Sequence, residues 1–244
     1  MIEKYLEYEH DGTLLEGYLA LDGERADPRP AVLIAHTWQG RGEFVCDKAR
    51  VLAGQGYVAF ALDLYGKGVI GQGPEESGRL MQPFLDDRAL LQARMLKALD
   101  TICALDEVDN NRIAAIGYCF GGLCVLDLAR VGADVQAVVS FHGLLSKPGN
   151  TDGKPIKAKT LILHGHDDPM APVEDVVAIE QELSAAGADW QINVYGNTMH
   201  SFTNPNANDP AMGTVYNDLA DHRSWNSLMN FLKEMFASSP GGRW

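Results

Sequence analysis

Cysteine is scarce in this 244-residue chain: four occur, at positions 46, 103, 119 and 124, and none falls in a C-x-x-C spacing. A chain of this length folds without covalent staples, so the scarcity argues against a disulfide framework or a zinc site. Basic residues are also few, with 20 Lys and Arg against 33 Asp and Glu, a formal charge of −13. Neither a nucleic acid nor an anionic membrane surface would meet a basic patch here. No apolar run approaches the roughly 18 residues that a membrane helix needs. The N-terminus Met1-Ile2-Glu3-Lys4-Tyr5 lacks a basic stretch leading into an apolar core, so a cytoplasmic location is the expectation. Internal repeats and a dividing linker are missing too. The Pro, Gly and Asn clusters at 146–155 and 204–213 precede periodic apolar segments and read as loops within one domain spanning residues 1–244.

Short apolar runs alternate with helical patterns through most of the chain. Residues 5–8 and 14–19 flank Asp11-Gly12, a dipeptide suited to a tight turn, and predict an antiparallel hairpin. Apolar runs at 31–35 and 57–62, separated by a helix at 43–54, predict a βαβ unit. A long helical pattern covers 85–105, strands are expected at 112–116, 137–141, 160–163 and 191–195, and helices near 173–186 and 223–237. Runs without polar alternation are buried on both faces, so the fold class is α/β: a largely parallel sheet between helix layers. Chemistry in such a sheet gathers at the carboxyl ends of the strands. Cys46, Cys103 and Cys124 lie in expected helices and read as packing residues.

The hexapeptide Gly117-Tyr118-Cys119-Phe120-Gly121-Gly122 sits where an expected strand passes directly into a helix. That context matches the nucleophile elbow G-x-S-x-G with cysteine in place of serine. A free cysteine is commonly a small buried hydrophobe, and the glycines alone would also serve close packing. What favours chemistry is the order of residues that follows. The strand at 160–163 leads into His164-Gly165-His166-Asp167-Asp168-Pro169, where two aspartates are candidates for an acid. Asp168 is preferred from its spacing to Gly165 and Pro172, although both aspartates also suit turns and helix caps. A metal set built on His164 and His166 lacks a matching distant ligand. His200, beyond the strand at 191–195, is placed to act as base; His10, His36, His142 and His222 are not. Cys119, Asp168 and His200 thus follow the order nucleophile, acid, base. In this reading His200 draws the proton from the thiol, Asp168 holds the imidazole, and an acyl-enzyme forms on sulfur and is resolved by water. The oxyanion donors would be the backbone N–H groups of Phe120 and of Thr37, in the loop 35–40. Trp38, Tyr65, Tyr118 and Phe120 are candidates for an apolar pocket, with Arg41 as a candidate cation.

These segments together resemble the dienelactone hydrolase family, the carboxymethylenebutenolidases of the α/β-hydrolase fold, whose nucleophile is a cysteine in G-x-C-x-G-G. The resemblance takes in the loop 35–40, Leu62-Asp63-Leu64-Tyr65-Gly66, the elbow, the acid loop 165–172 and Met199-His200-Ser201-Phe202. It implies an α/β-hydrolase with its antiparallel hairpin at the N-terminus, acting on a small ester or lactone without metal or organic cofactor, with Cys119, Asp168 and His200 in the triad positions. Two positions depart from the family pattern. Thr37 stands where a glutamate helps to form the thiolate, and Asn204 where an arginine binds the substrate carboxylate. The second departure argues against dienelactone itself, unless Arg41, Arg79 or Arg88 supplies a cation. The first leaves a non-catalytic or redox-sensing binding protein as the alternative. A peptidase or acyl transferase is a third reading of a fold that hosts many chemistries.

Overall fold

The structure is a computed structural model describing residues 1–23 and 27–237. Its centre is an eight-stranded sheet in the order β1-β2-β4-β3-β5-β6-β7-β8. Strands β1 (Ile2–His10) and β2 (Thr13–Leu21) form the expected antiparallel hairpin, whose turn residues Asp11 and Gly12 adopt φ of 48° and 74°. From β4 (Val58–Ala61) through β3 (Arg29–Ala35), β5 (Val108–Tyr118), β6 (Ala137–Phe141), β7 (Lys159–Gly165) and β8 (Trp190–Tyr195), every pairing is parallel. The α/β class and the parallel sheet are therefore as the apolar runs indicate.

Strand alternation sorts the core into two layers. Ala31, Leu33, Ile113 and Ala115 face one side with residues of α2 (Pro74–Asp86), α3 (Arg88–Cys103), α4 (Phe120–Arg130) and α5 (Val173–Ala185). Val32, Ile34, Ala114, Ile116 and Tyr118 face the other, against α1 (Glu43–Gly54) and α6 (Asp218–Phe236). Burying a side chain such as Leu33 or Ile34, both fully inaccessible, contributes about 1.5–3 kcal/mol each.

Three local expectations differ from the structure. The single helix over 85–105 is two helices, divided at Asp87, whose carboxylate accepts the Leu90 N–H at 3.0 Å and starts α3. Pro83 lies in the last turn of the preceding helix, where its carbonyl accepts the Asp87 N–H at 3.0 Å. Helix α6 begins at Asp218, five residues before the expected start, because Asn217 caps it by accepting the Ala220 N–H. The stretch 204–213 carries part of a small antiparallel pair, β9 (Asn208–Asp209) with β10 (Thr214–Val215).

Candidate active site

Strand β5 ends at Tyr118 and α4 starts at Phe120, which leaves Cys119 alone to make the turn, at φ 57° and ψ −119°. This is a strained conformation for a residue with a Cβ. The neighbours permit it because they have none: a β-carbon at Gly117 would stand 2.0 Å from the Gly121 oxygen, and one at Gly121 would stand 2.2 Å from the Ala35 oxygen. The sulfur is presented at the N-terminus of α4, where the helix dipole favours negative charge.

His200 and Asp168 arrive from separate loops. Asp168 is buried and accepts the Met170 N–H at 2.8 Å on Oδ1, while its Oδ2 lies 2.7 Å from His200 Nδ1. Asp167 is exposed, so the choice between the two aspartates is made by geometry. The loops approach so closely that a β-carbon at Gly165 would meet the Thr198 oxygen at 2.4 Å. Backbone bonds from His200 N–H to Gly213 O and from Val215 N–H to His200 O tie the histidine to the small β9–β10 pair.

The remaining ring nitrogen, His200 Nε2, is buried without a hydrogen-bond partner of good geometry. It nevertheless interacts with Cys119 through charge and a looser side-chain contact, as is usual before substrate tightens a site. Burial by itself would push the Cys119 thiol up, but the His200 charge and contact, with the backbone N–H groups of Phe120 and Trp38, bring it below its ordinary value. Burial would likewise push His200 down, and the Cys119 charge and the Asp168 hydrogen bond raise it instead. The two shifts have one cause, since each group favours the charged form of the other.

His142, not singled out by sequence, packs edge-on to His200 with ring centroids 5.1 Å apart and bonds Thr203 Oγ1 through Nε2 at 2.8 Å. Burial and the His200 charge hold its pKa well down, so it stays neutral beside the base.

A cavity of about 290 Å³ opens on Cys119 and His200. Trp38, Met81, Leu144, Met170, Ala207 and Met212 give it an apolar wall, and Gln39, Ser201, Asn204 and Thr214 its polar edge. No Asp, Glu, Lys or Arg lines it among the described residues. Of the candidate pocket residues, only Trp38 is there. Tyr118 faces the opposite layer, stacked on Phe141 at 4.7 Å, because strand parity turns it away from the elbow side. Tyr65 stands behind the wall, donating its hydroxyl to the Trp38 oxygen at 3.0 Å. Phe120 is fully buried against Tyr65 and Phe84. Arg41 is bound to Glu16 at 2.6 and 3.1 Å and lies over the Tyr5 ring. Arg88 is held by Asp127, and Arg79 is exposed away from the cavity lining. Thr37 is corrected as well: the N–H acting on the sulfur belongs to Trp38, one residue along. No group of three or more His, Cys, Asp or Glu side chains suited to a metal ion occurs among the described residues.

A model of the dienelactone hydrolase family matches residues 15–236. The chain belongs to the dienelactone hydrolase family. Among solved structures, the hydrolase superposes on the protein m3DLH with a TM-score of 0.93 at 37% identity, covering 97% of this chain and 99% of the other. It superposes on a dienelactone hydrolase-like promiscuous phosphotriesterase from metagenomic libraries with a TM-score of 0.92 at 34% identity, covering 97% and 99%. A carboxymethylenebutenolidase homologue of Escherichia coli strain K12 is 29% identical over 210 residues, covering 78% of this chain and 74% of that one.

Proposed function

We propose that this member of the family hydrolyses small, uncharged carboxylic esters or lactones through an acyl-enzyme on Cys119. The observation that carries the reading is the 2.7 Å contact of Asp168 with His200, whose other nitrogen stands beside a sulfur opening on a cavity that no Asp, Glu, Lys or Arg lines among the described residues. The Cys119 thiolate attacks the carbonyl carbon, forming a C–S bond as the carbonyl electrons move to oxygen. The N–H groups of Phe120 and Trp38 receive that oxyanion, and losing one such donor typically costs about 2.7–4 kcal/mol. The intermediate collapses, the alkoxide leaves, and it takes the proton from His200 Nε2. A water then attacks the thioester, giving its proton to His200, and the carboxylic acid departs as the thiolate is restored. Asp168 keeps Nδ1 protonated throughout, so that Nε2 faces the reaction.

A cavity without a lysine or arginine in its lining gives a carboxylate-bearing lactone no dedicated partner, which favours neutral substrates. The phosphotriesterase relative fits this preference, since phosphotriesters are themselves uncharged. The non-catalytic alternative starts from the missing glutamate at position 37, yet His200 and two backbone donors still act on the Cys119 thiol and lower it. Intact-mass analysis during p-nitrophenyl acetate turnover tests the proposal. A +42 Da acetyl adduct is expected on Cys119, on the order of 10⁶-fold slower turnover in Cys119→Ala, and unaltered turnover in that variant would refute the mechanism.

A further inference from the structure

His36, fully buried directly after β3, has no part in the steps above, yet both of its ring nitrogens are engaged. Nε2 lies 3.2 Å from the Leu64 amide nitrogen, which can only donate, so Nε2 carries no proton. Nδ1 lies 2.7 Å from the Thr37 carbonyl oxygen, which can only accept, so Nδ1 carries it. The two contacts impose the same tautomer, and burial pushes the His36 pKa down, keeping the ring neutral.

The oxygen gripped by His36 belongs to the Thr37–Trp38 peptide group. In a trans peptide the C=O and N–H point in opposite directions, so fixing the Thr37 oxygen also fixes the Trp38 N–H, the group that acts on the Cys119 sulfur. The Gly40 N–H donates to the same oxygen at 3.1 Å, and Tyr65, which meets the His36 ring edge-on at 4.7 Å, holds the next carbonyl through its hydroxyl. Donors on a carbonyl polarise its peptide and strengthen the N–H at the other end.

We infer that His36 is a positioning residue for the oxyanion hole: its Nδ1–H orients and polarises the Thr37–Trp38 peptide so that the Trp38 N–H meets the developing oxyanion. The inference rests on the acyl-enzyme reading. Two variants separate the ring's two contacts. His36→Asn places an amide nitrogen where Nδ1 stands and keeps the bond to Thr37; His36→Gln reaches the Leu64 side and loses it. Each is measured for acylation by p-nitrophenyl acetate and for alkylation by iodoacetamide at about pH 9.5, above the ordinary thiol range. Alkylation needs no oxyanion hole. Acylation is expected to fall about 10–100-fold in His36→Gln and less than about fivefold in His36→Asn, with alkylation within about threefold of the parent in both. Equal loss of acylation in the two variants, loss of alkylation in step with acylation, or no loss at all overturns the inference. A parent that is not acylated at Cys119 overturns the hydrolase reading itself and takes this inference with it.

Discussion

The two ends of α4 carry two clusters of ionisable side chains that are treated in opposite ways. At the C-terminal end Arg130, 2% exposed, gives every guanidinium nitrogen a partner: Glu182 at 2.7 and 2.9 Å, Asp127 at 3.1 Å, and the carbonyls of Leu145 and Ser146. Arg88 adds a two-pronged contact to Asp127 at 2.6 and 2.8 Å. At the N-terminal end the backbone of Cys119 is strained, and His200 Nε2 has no well-formed partner. Both ends suit the helix dipole, with a cation at the carboxyl terminus and, at the amino terminus, a thiol held below its ordinary pKa. Satisfaction of every donor marks the structural cluster, and an open valence beside a cavity marks the chemical one.

Substitutions at the two ends should therefore separate activity from stability. Asp168→Asn keeps the shape but lets Nδ1 of His200 accept a hydrogen bond from the amide NH2, favouring the wrong tautomer. A drop of roughly 10⁴ in kcat is expected with the melting temperature little changed, read by steady-state kinetics beside calorimetry. At the other end Asp127→Ala strips Arg88 of its carboxylate and Arg130 of one, a loss of about 3–5 kcal/mol by urea unfolding. The folded fraction of that variant should retain its kcat. A large kcat loss at Asp127 with unchanged stability would dissolve the contrast. A smaller effect is expected inside the cavity, where Asn204→Arg introduces a cation. The kcat/KM for a carboxylate-bearing ester should rise about 10–100-fold while a neutral ester of the same size changes less than about threefold.

Much of the chemical end is legible in the sequence because its determinants are local. The elbow is a contiguous hexapeptide between an apolar strand and an amphipathic helix, and the acid and base follow strands whose apolar runs are unmistakable. Peptide orientation and side-chain parity are not local. Whether Thr37 or Trp38 points its N–H at the sulfur depends on which carbonyl His36 and Gly40 hold, and those partners become visible only in three dimensions. Tyr118 is one residue from the nucleophile yet points into the other layer, since neighbours on a strand face opposite ways. Met81, Met170 and Met212, which shape the cavity, come from α2, the loop after β7 and the turn before β10, with no shared sequence signal. The break at Asp87 and the cap at Asn217 were within reach, since both are capping residues preceding helical patterns.

The most direct test of an open valence at the N-terminal end is the pH dependence of Cys119 alkylation by iodoacetamide, in the parent and in His200→Gln. A thiol lowered by His200 gains its reactivity as pH rises through a value below the ordinary thiol pKa of about 8.5. Removal of the imidazole should move that inflection upward, to or beyond the ordinary value, as burial then acts with less opposition. An inflection at the ordinary value in both proteins would contradict the thiolate–imidazolium pair and, with it, the proposed chemistry.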